Sequence, residues 1–267
     1  MSWRLVLAGM GLLLLTACAT SPTGRKQLLM VSDADVNRMG LATFQQMKAS
    51  DKLSTDRHKA ETVSCIVRHL VAQLPTQWQT LDWETQLFAI DSANAFALPG
   101  GKVGINTGLF KVATNQDQLA AVIGHEIGHV IARHSAERLS QSVLAEAGMG
   151  LVGAYAGRNA SPDQVKQLVA LLGAGTQVGV LLPYSRLHES EADRIGQELM
   201  AKAGFDPREA ARLWENMIQA SAASPNPPRL LSTHPDSRAR AQALSTAAPA
   251  LLPEYEAARR RAAPRCS

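Results

Sequence analysis

His125 and His129 stand four residues apart in His125-Glu126-Ile127-Gly128-His129. On an α-helix that spacing brings both imidazoles out of one face, one turn apart, where they can converge on a single cation. Glu126 is turned by about 100° from His125 around the axis, so it can reach a metal-activated water without ligating the ion and act as general base. Two histidines and a displaced carboxylate in this order suit hydrolysis assisted by Zn2+. A catalytic zinc takes a third protein ligand. The segment His188 to Asp193 offers acidic candidates, among which Glu189 and Asp193 share a helix face while Glu191 points nearly opposite. The economical assignment makes Glu189 the ligand. Asp193 then accepts the remaining ring N–H of a ligand histidine and fixes its tautomer. An exposed acidic helix face is the other reading of these residues.

The histidine pair needs a helix, and the sequence provides one. Thr114, with Asp117 three residues later, caps a segment carrying Leu119, Val122, Ile123, Ile127 and Val130 on its apolar side. Gly128 lowers its helix propensity, which close packing or approach to a metal would excuse. Upstream, Ser32 and Asp35 cap a helix to about Ser50, and a second covers Lys59 to Leu74. Strand signals follow at Gln86 to Ile90, Ala95 to Leu98 and Lys102 to Asn106. The last two are joined by Pro99-Gly100-Gly101 and are expected to fold back on one another. Downstream, Ser140 to Leu182 is rich in small and aliphatic residues and reads as a helical hairpin broken at Arg158 to Pro162. Tyr184 to Lys202 forms the acidic helix, stopped by Gly204, and Pro207 restarts a helix to Ser221. The predicted fold class is α+β, mostly helical, with a small β-sheet beside the histidine-bearing helix.

The 267 residues, 46% hydrophobic, suffice for one substantial core. Met1 to Ala17 has Arg4, an apolar run from Leu5 to Leu15 and Leu15-Thr16-Ala17-Cys18, which reads as an export signal too short to span a bilayer. Leu-Thr-Ala-Cys also resembles the lipobox of bacterial lipoproteins, with Cys18 as the lipidated first residue; Ala19 in the next position implies retention at the outer membrane, facing the periplasm. The organisation expected is a signal at 1–17, a lipidated, flexible tether at 18–30, the catalytic domain at 31–253 and a basic tail at 254–267. In an oxidising compartment Cys65 and Cys266 form an even pair, either bonded or as two free thiols. The formal charge of +4 comes partly from Arg259-Arg260-Arg261 and Arg265, and no aromatic and basic platform suggests a nucleic-acid partner.

Together, His125-Glu-Ile-Gly-His129 and Glu189-Ser-Glu-Ala-Asp193-Arg-Ile-Gly resemble zinc metallopeptidase family forty-eight, the gluzincins of HtpX, BepA and LoiP type. The likeness runs from about Thr20 to Arg240 and is nearest the short periplasmic lipoproteins that lack a repeat domain. It implies a zincin-like domain holding one Zn2+ and acting on peptide bonds of misfolded or unassembled envelope proteins. Outer-membrane assembly machinery is an implied partner, and a zinc-dependent chaperone with little proteolysis is the alternative. By the same resemblance, Asn94, Ala95, Phe96 and Ala97 form an edge that receives substrate backbone, against the plainer reading of a structural hairpin. His234 in Ser232-Thr233-His234-Pro235 matches a histidine that approaches the zinc, as oxyanion donor or as reversible fourth ligand. Arg238 and Arg240 read as surface arginines, with support of the His234 loop or binding of a substrate carboxylate as alternatives. His58, His69 and His134 have no partner at useful spacing.

Overall fold

The computed structural model describes residues 18–145, 185–222, 228, 230–231, 234 and 237–266. The predicted signal at 1–17 and the predicted hairpin beyond residue 145 lie outside them. The chain divides into two units, Met1–Asp35 with Arg133–Leu182, and Val36–Ala132 with Pro183–Ser267.

In the first unit the polar residues after Cys18 do not make a tether. β1 (Cys18–Thr20) pairs antiparallel with β2 (Lys26–Leu28) around a turn in which Gly24 takes a φ of 91°. The reason is that these residues have partners. Arg25 forms a two-pronged pair with Glu137, Nη1 to Oε1 at 2.9 Å and Nη2 to Oε2 at 2.7 Å, and Met30 N–H donates to Ser140 Oγ at 2.8 Å. Glu137 and Ser140 belong to a helix described over 134–145.

The second unit carries the core. α1 (Asp33–Ser50) buries only Val36, Gly40 and Phe44, a strip with the four-residue spacing of one helix face. α2 (Arg57–Val71) starts at Asp56, whose side chain accepts Lys59 N–H at 3.0 Å, and buries Val63, Ile66, Val67 and Leu70. Three strands follow: β3 (Glu84–Phe88), β4 (Ala95–Leu98) and β5 (Lys102–Asn106). Their order is β3-β5-β4, with β3 parallel and β4 antiparallel to the fully buried β5. Gly100 and Gly101, with φ of 82° and 81°, make the tight return that Pro99-Gly100-Gly101 predicted. β4 is left as an edge among the described residues.

α3 (Gln116–Ile131) holds the histidine motif. Its cap is Asn115, one residue past the predicted Thr114: Asn115 Oδ1 accepts Gln118 N–H at 2.8 Å, while Thr114 donates its own N–H to Gln118 Oε1 at 2.9 Å. Every residue from Gln118 to Ile131 is buried, so the polar side of this helix is interior too. α4 (Arg186–Ala203), the acidic helix, runs from a Ser185 cap to Gly204 at φ 81°. α5 (Glu209–Ala222) and α6 (Ser237–Arg261) complete the unit.

The predicted basic tail is structured. α6 continues through Pro253 to Arg261, Ala258 is buried, and Cys266 is bonded to Cys65 across 201 residues with Cα atoms 5.5 Å apart. Arg259, Arg260, Arg261 and Arg265 occupy the exposed side while Ala258, Pro264 and Cys266 face inward, which reconciles the charge with the docking. Closing so long a loop contributes roughly 5 kcal/mol in the chain-entropy account.

α3 and α4 meet backbone to backbone. A Cβ on Gly196 would lie 2.6 Å from His125 N and 2.7 Å from Gly124 C, and one on Gly128 would lie 2.8 Å from the Ala192 carbonyl oxygen. In an open helix, Gly→Ala gains about 1 kcal/mol of propensity. At this crossing the overpacking cost of about 1–3 kcal/mol outweighs it. We expect Gly196→Ala to lower the urea midpoint; a raised midpoint would show that the helices can separate freely.

Candidate active site

The site is assembled from α3, α4, α6 and His234, all in the second unit. Ridges of α3 and α4 that lack side chains let the helices touch, so His125 and His129 from one face Glu189 and Asp193 from the other. His125 Nε2 lies 3.0 Å from His129 Nε2 and 3.5 Å from Glu189 Oε2, and His129 Nε2 lies 3.5 Å from Glu189 Oε1. His234 Nδ1 is 3.2 Å from His125 Nε2 and 2.9 Å from Glu189 Oε2. All four donor atoms fall within 4.8 Å of one another, and all four residues are buried.

The donor set fits zinc on two counts. A tetrahedral ion with bonds of about 2.1 Å spaces its ligand atoms by about 3.4 Å, the scale of the separations in this cluster. The chemistry also agrees: ring nitrogens and a carboxylate crowded together are mostly acceptors, and a cation is what such atoms can share. His125, His129 and Glu189 make the three-residue set predicted for the metal, and His234 adds a fourth donor.

Around these atoms the charges are arranged by burial and by one arginine. Burial and the Arg240 charge both favour a neutral His125, yet hydrogen bonds to Asp193 and Glu189 outweigh them and raise its pKa from 6.5 to about 9. Asp193 Oδ1 stands 2.9 Å from His125 Nδ1, the placement predicted for a residue that fixes the tautomer. Burial works against ionisation of Glu189, but bonds to His125 and His234 hold its carboxyl well below the usual range. Burial pushes Glu126 up, opposed by His234 and His125 and by a hydrogen bond from Ala97 N–H. Glu126 Oε1 is buried with no hydrogen-bond partner among the described residues, and His234 Nε2 lies 3.4 Å away. A buried carboxylate oxygen left open beside a metal cage is placed to take a proton from water.

Arg240 is not a surface residue. It is buried; its Nε and Nη2 each reach an Asp193 oxygen at 2.6 Å, Nη1 reaches Glu189 Oε2 at 2.7 Å, and its guanidinium lies 3.8 Å over the Trp214 ring. The fork grips Asp193 with two hydrogen bonds, which a lysine cannot do, while Nη1 meets Glu189 as a charge contact without hydrogen-bond geometry. The signal for it is indirect: two interior acids on one helix face need a cation, and the arginine expected near Asp193, Arg186, is not the one that reaches it. Trp214 carries no such signal in the sequence, because an aromatic within a helix reads as core.

The four residues predicted to take substrate backbone divide. Asn106 N–H donates to Asn94 O at 3.0 Å, and in an antiparallel ladder that sets Phe96 and Leu98 facing β5 while Ala95 and Ala97 turn their backbone groups outward. Ala97 N–H accordingly meets Glu126. Phe96 is withdrawn from the set: its backbone is paired with Gly104, and its ring lies across the space a Gly104 side chain would fill, 6.0 Å from Phe88. Asn94 is withdrawn too, because its carbonyl is taken by Asn106 N–H; its Oδ1 is buried without a partner among the described residues. Of the other histidines, His58 and His69 lie on α2, and His134 is a buried residue of the first unit.

The sequence profile of peptidase family M48 matches residues 57–248. The chain is 38% identical to mitochondrial metalloendopeptidase OMA1 of Schizosaccharomyces pombe, over 67% of this chain and 50% of that relative. It is 32% identical to mitochondrial metalloendopeptidase OMA1 of Bos taurus, over 94% of this chain and 51% of the relative. It is also 32% identical to the beta-barrel assembly-enhancing protease of Escherichia coli K12, over 74% of this chain and 40% of the relative. The chain therefore spans about half the length of these proteins, or less.

Removing the arginine should expose its structural weight. Arg240→Met leaves two buried carboxylates without their cation, and breaking such a cluster costs on the order of 3–5 kcal/mol. The expected result is a matching drop in unfolding free energy by urea titration, with Arg240→Lys recovering only part of it; a loss within experimental scatter for Arg240→Met would refute the charge argument.

Proposed function

This chain belongs to peptidase family M48, and from that premise and the geometry of its donor cluster we propose that it is a zinc-dependent endopeptidase of periplasmic protein quality control, anchored to the outer membrane. The observation that carries the reading is the cage of His125, His129 and Glu189 with Glu126 beside it, open on one oxygen and set against the outward backbone of β4. Zinc held there would supply Lewis-acid activation of water and of the scissile carbonyl.

The chain's own residues divide the remaining work. An extended substrate lies along β4, where Ala95 offers its outward backbone groups and Ala97 its carbonyl, the Ala97 N–H being held by Glu126, and such an edge accepts any sequence able to become a strand. Unfolded proteins meet that condition and folded ones do not. Glu126 takes the proton of the attacking water and delivers it to the leaving amine. Asp193 keeps His125 in the tautomer that presents Nε2 to the metal, and Arg240 keeps Asp193 ionised and in place. A cleft of about 580 Å3 runs along α4 and α6, with Glu189 and Asp193 in its wall and Ala243, Ala247 and Leu251 among its apolar lining.

His234 completes the cage with a fourth donor, and a catalytic zinc needs an open position. In this reading it is a reversible ligand that withdraws when substrate arrives, its loop being separate from the two helices that carry the permanent set.

The location rests on the lipobox-like Leu15-Thr16-Ala17-Cys18 and on the Cys65–Cys266 bond, which belongs to an oxidising compartment. One relative's name, the beta-barrel assembly-enhancing protease, fits an envelope role, and through it outer-membrane assembly machinery becomes the proposed partner. Misfolded or unassembled envelope proteins are the substrates this location and the β4 edge would select.

Three measurements test these points. Glu126→Gln should keep its zinc and lose about 10²–10⁴-fold in cleavage of an unfolded model protein; a wild type that holds such a substrate uncut would favour a zinc-dependent chaperone instead. His234→Ala should raise cleavage while weakening zinc retention, and a fall in cleavage at unchanged zinc content would make it a transition-state donor. Cys18→Ser should move the protein from the membrane fraction to the soluble periplasm; continued membrane residence would remove the lipid anchor from the account.

A further inference from the structure

A second group of metal-binding atoms lies at the other end of α3. Cys65, His69 and Cys266 bring two sulfurs and a ring nitrogen within 4.8 Å of one another. Cys65 and His69 are four apart on α2, so they leave one face a turn apart, the same relation that lets His125 and His129 share an ion. Cys266 is placed by contacts that do not depend on its sulfur: its N–H donates to Gln116 Oε1 at 2.9 Å, and Gln116 Nε2 donates to the Pro264 carbonyl at 3.2 Å. The Arg265 carbonyl oxygen, 3.9 Å from Cys65 Sγ, is a further donor close by. Cys65 and His69 are half-buried, within reach of solutes. In the oxidised protein two of the three donors are spent on the disulfide.

We propose that on reduction Cys65, His69 and Cys266 become a second metal site, selective for a soft divalent cation such as Zn2+, which takes over the disulfide's task of tying the C-terminal end to α2. The chemistry balances with a two-electron reductant from outside the protein. With a phosphine, one water gives its oxygen to phosphorus and its two hydrogens to the two sulfurs as the S–S bond breaks. Metal binding then releases those two protons to solvent and forms two metal–sulfur bonds, with the neutral His69 ring as third donor. Two thiolates cancel the charge of the ion, and the thiolate and imidazole set is one that zinc prefers over calcium or magnesium. The C-terminal end, and through Gln116 the start of the motif helix, would then stay docked in either redox state.

The experiment counts metal in the full chain, oxidised or reduced anaerobically with a phosphine, then incubated with Zn2+ or Co2+ and desalted. Oxidised protein should carry about one ion and reduced protein about two, the second cobalt ion adding a near-ultraviolet thiolate charge-transfer band. His69→Ala should return the reduced protein to about one ion while leaving the disulfide of the oxidised form intact. The ion at His125, His129 and Glu189 is the internal control for folding. Reduced wild type that stays at one ion, His69→Ala that keeps the second, or loss of both ions on reduction would each overturn the proposal.

Discussion

The rest of this structure depends on how closely α3 and α4 approach. Metal ligands on two helices must meet at about 3–4 Å, and ordinary side chains hold helix axes 8–10 Å apart. Short ligands such as Glu189 cannot span much more than that. Gly124, Gly128, Ala192 and Gly196 remove the intervening side chains and let peptide groups touch. That closeness explains the otherwise poor choice of glycine within a helix whose every other face is packed. It also explains why the helix is buried on its polar side: the histidines and Glu126 are enclosed by the helix that supplies the third ligand. The core, the sheet and α6 hold this one crossing at its distance.

A price follows in electrostatics, because closing the crossing traps Glu126, Glu189 and Asp193 away from water. Each acid is handled differently. Glu189 is balanced by histidines and, in the proposed enzyme, by the ion. Asp193 is balanced by Arg240, which reaches it from α6, far along the chain. Glu126 is left with a hydrogen bond from Ala97 and one open oxygen. Three carboxylates of similar intrinsic strength thereby acquire separate roles: ligand, orienting group and proton carrier. The difference lies in which cation or donor each one meets.

What the sequence revealed was what local rules encode. Spacing placed His125, Glu126, His129, Glu189 and Asp193 on helix faces, and turn chemistry located β4 and β5 to the residue. Strand ends and caps were less secure: β3 begins at Glu84, where the apolar run starts only at Gln86, and Asn115 displaced Thr114 as cap because both can accept a backbone N–H. Composition misled twice. Polar, Pro- and Gly-containing residues after Cys18 became a hairpin because Glu137, far off in sequence, supplies a partner for Arg25. The arginine-rich end docked because its apolar residues, Ala258, Pro264 and Cys266, fall on one side. Arg240 and Phe96 show the same limit in opposite directions: whether an arginine is interior, or an alanine's neighbour presents its backbone, depends on pairings between segments that no local pattern records.

The Cys65–Cys266 bond closes a ring of chain around both ligand-bearing helices. A single cut in the backbone anywhere inside that ring opens it without parting it: both pieces remain one covalent molecule, and every metal donor stays on it. For a protein proposed to live among exposed peptide strands, with an edge that accepts them indiscriminately, this topology means that an accidental nick by a sister molecule leaves both fragments tethered instead of shedding one of them.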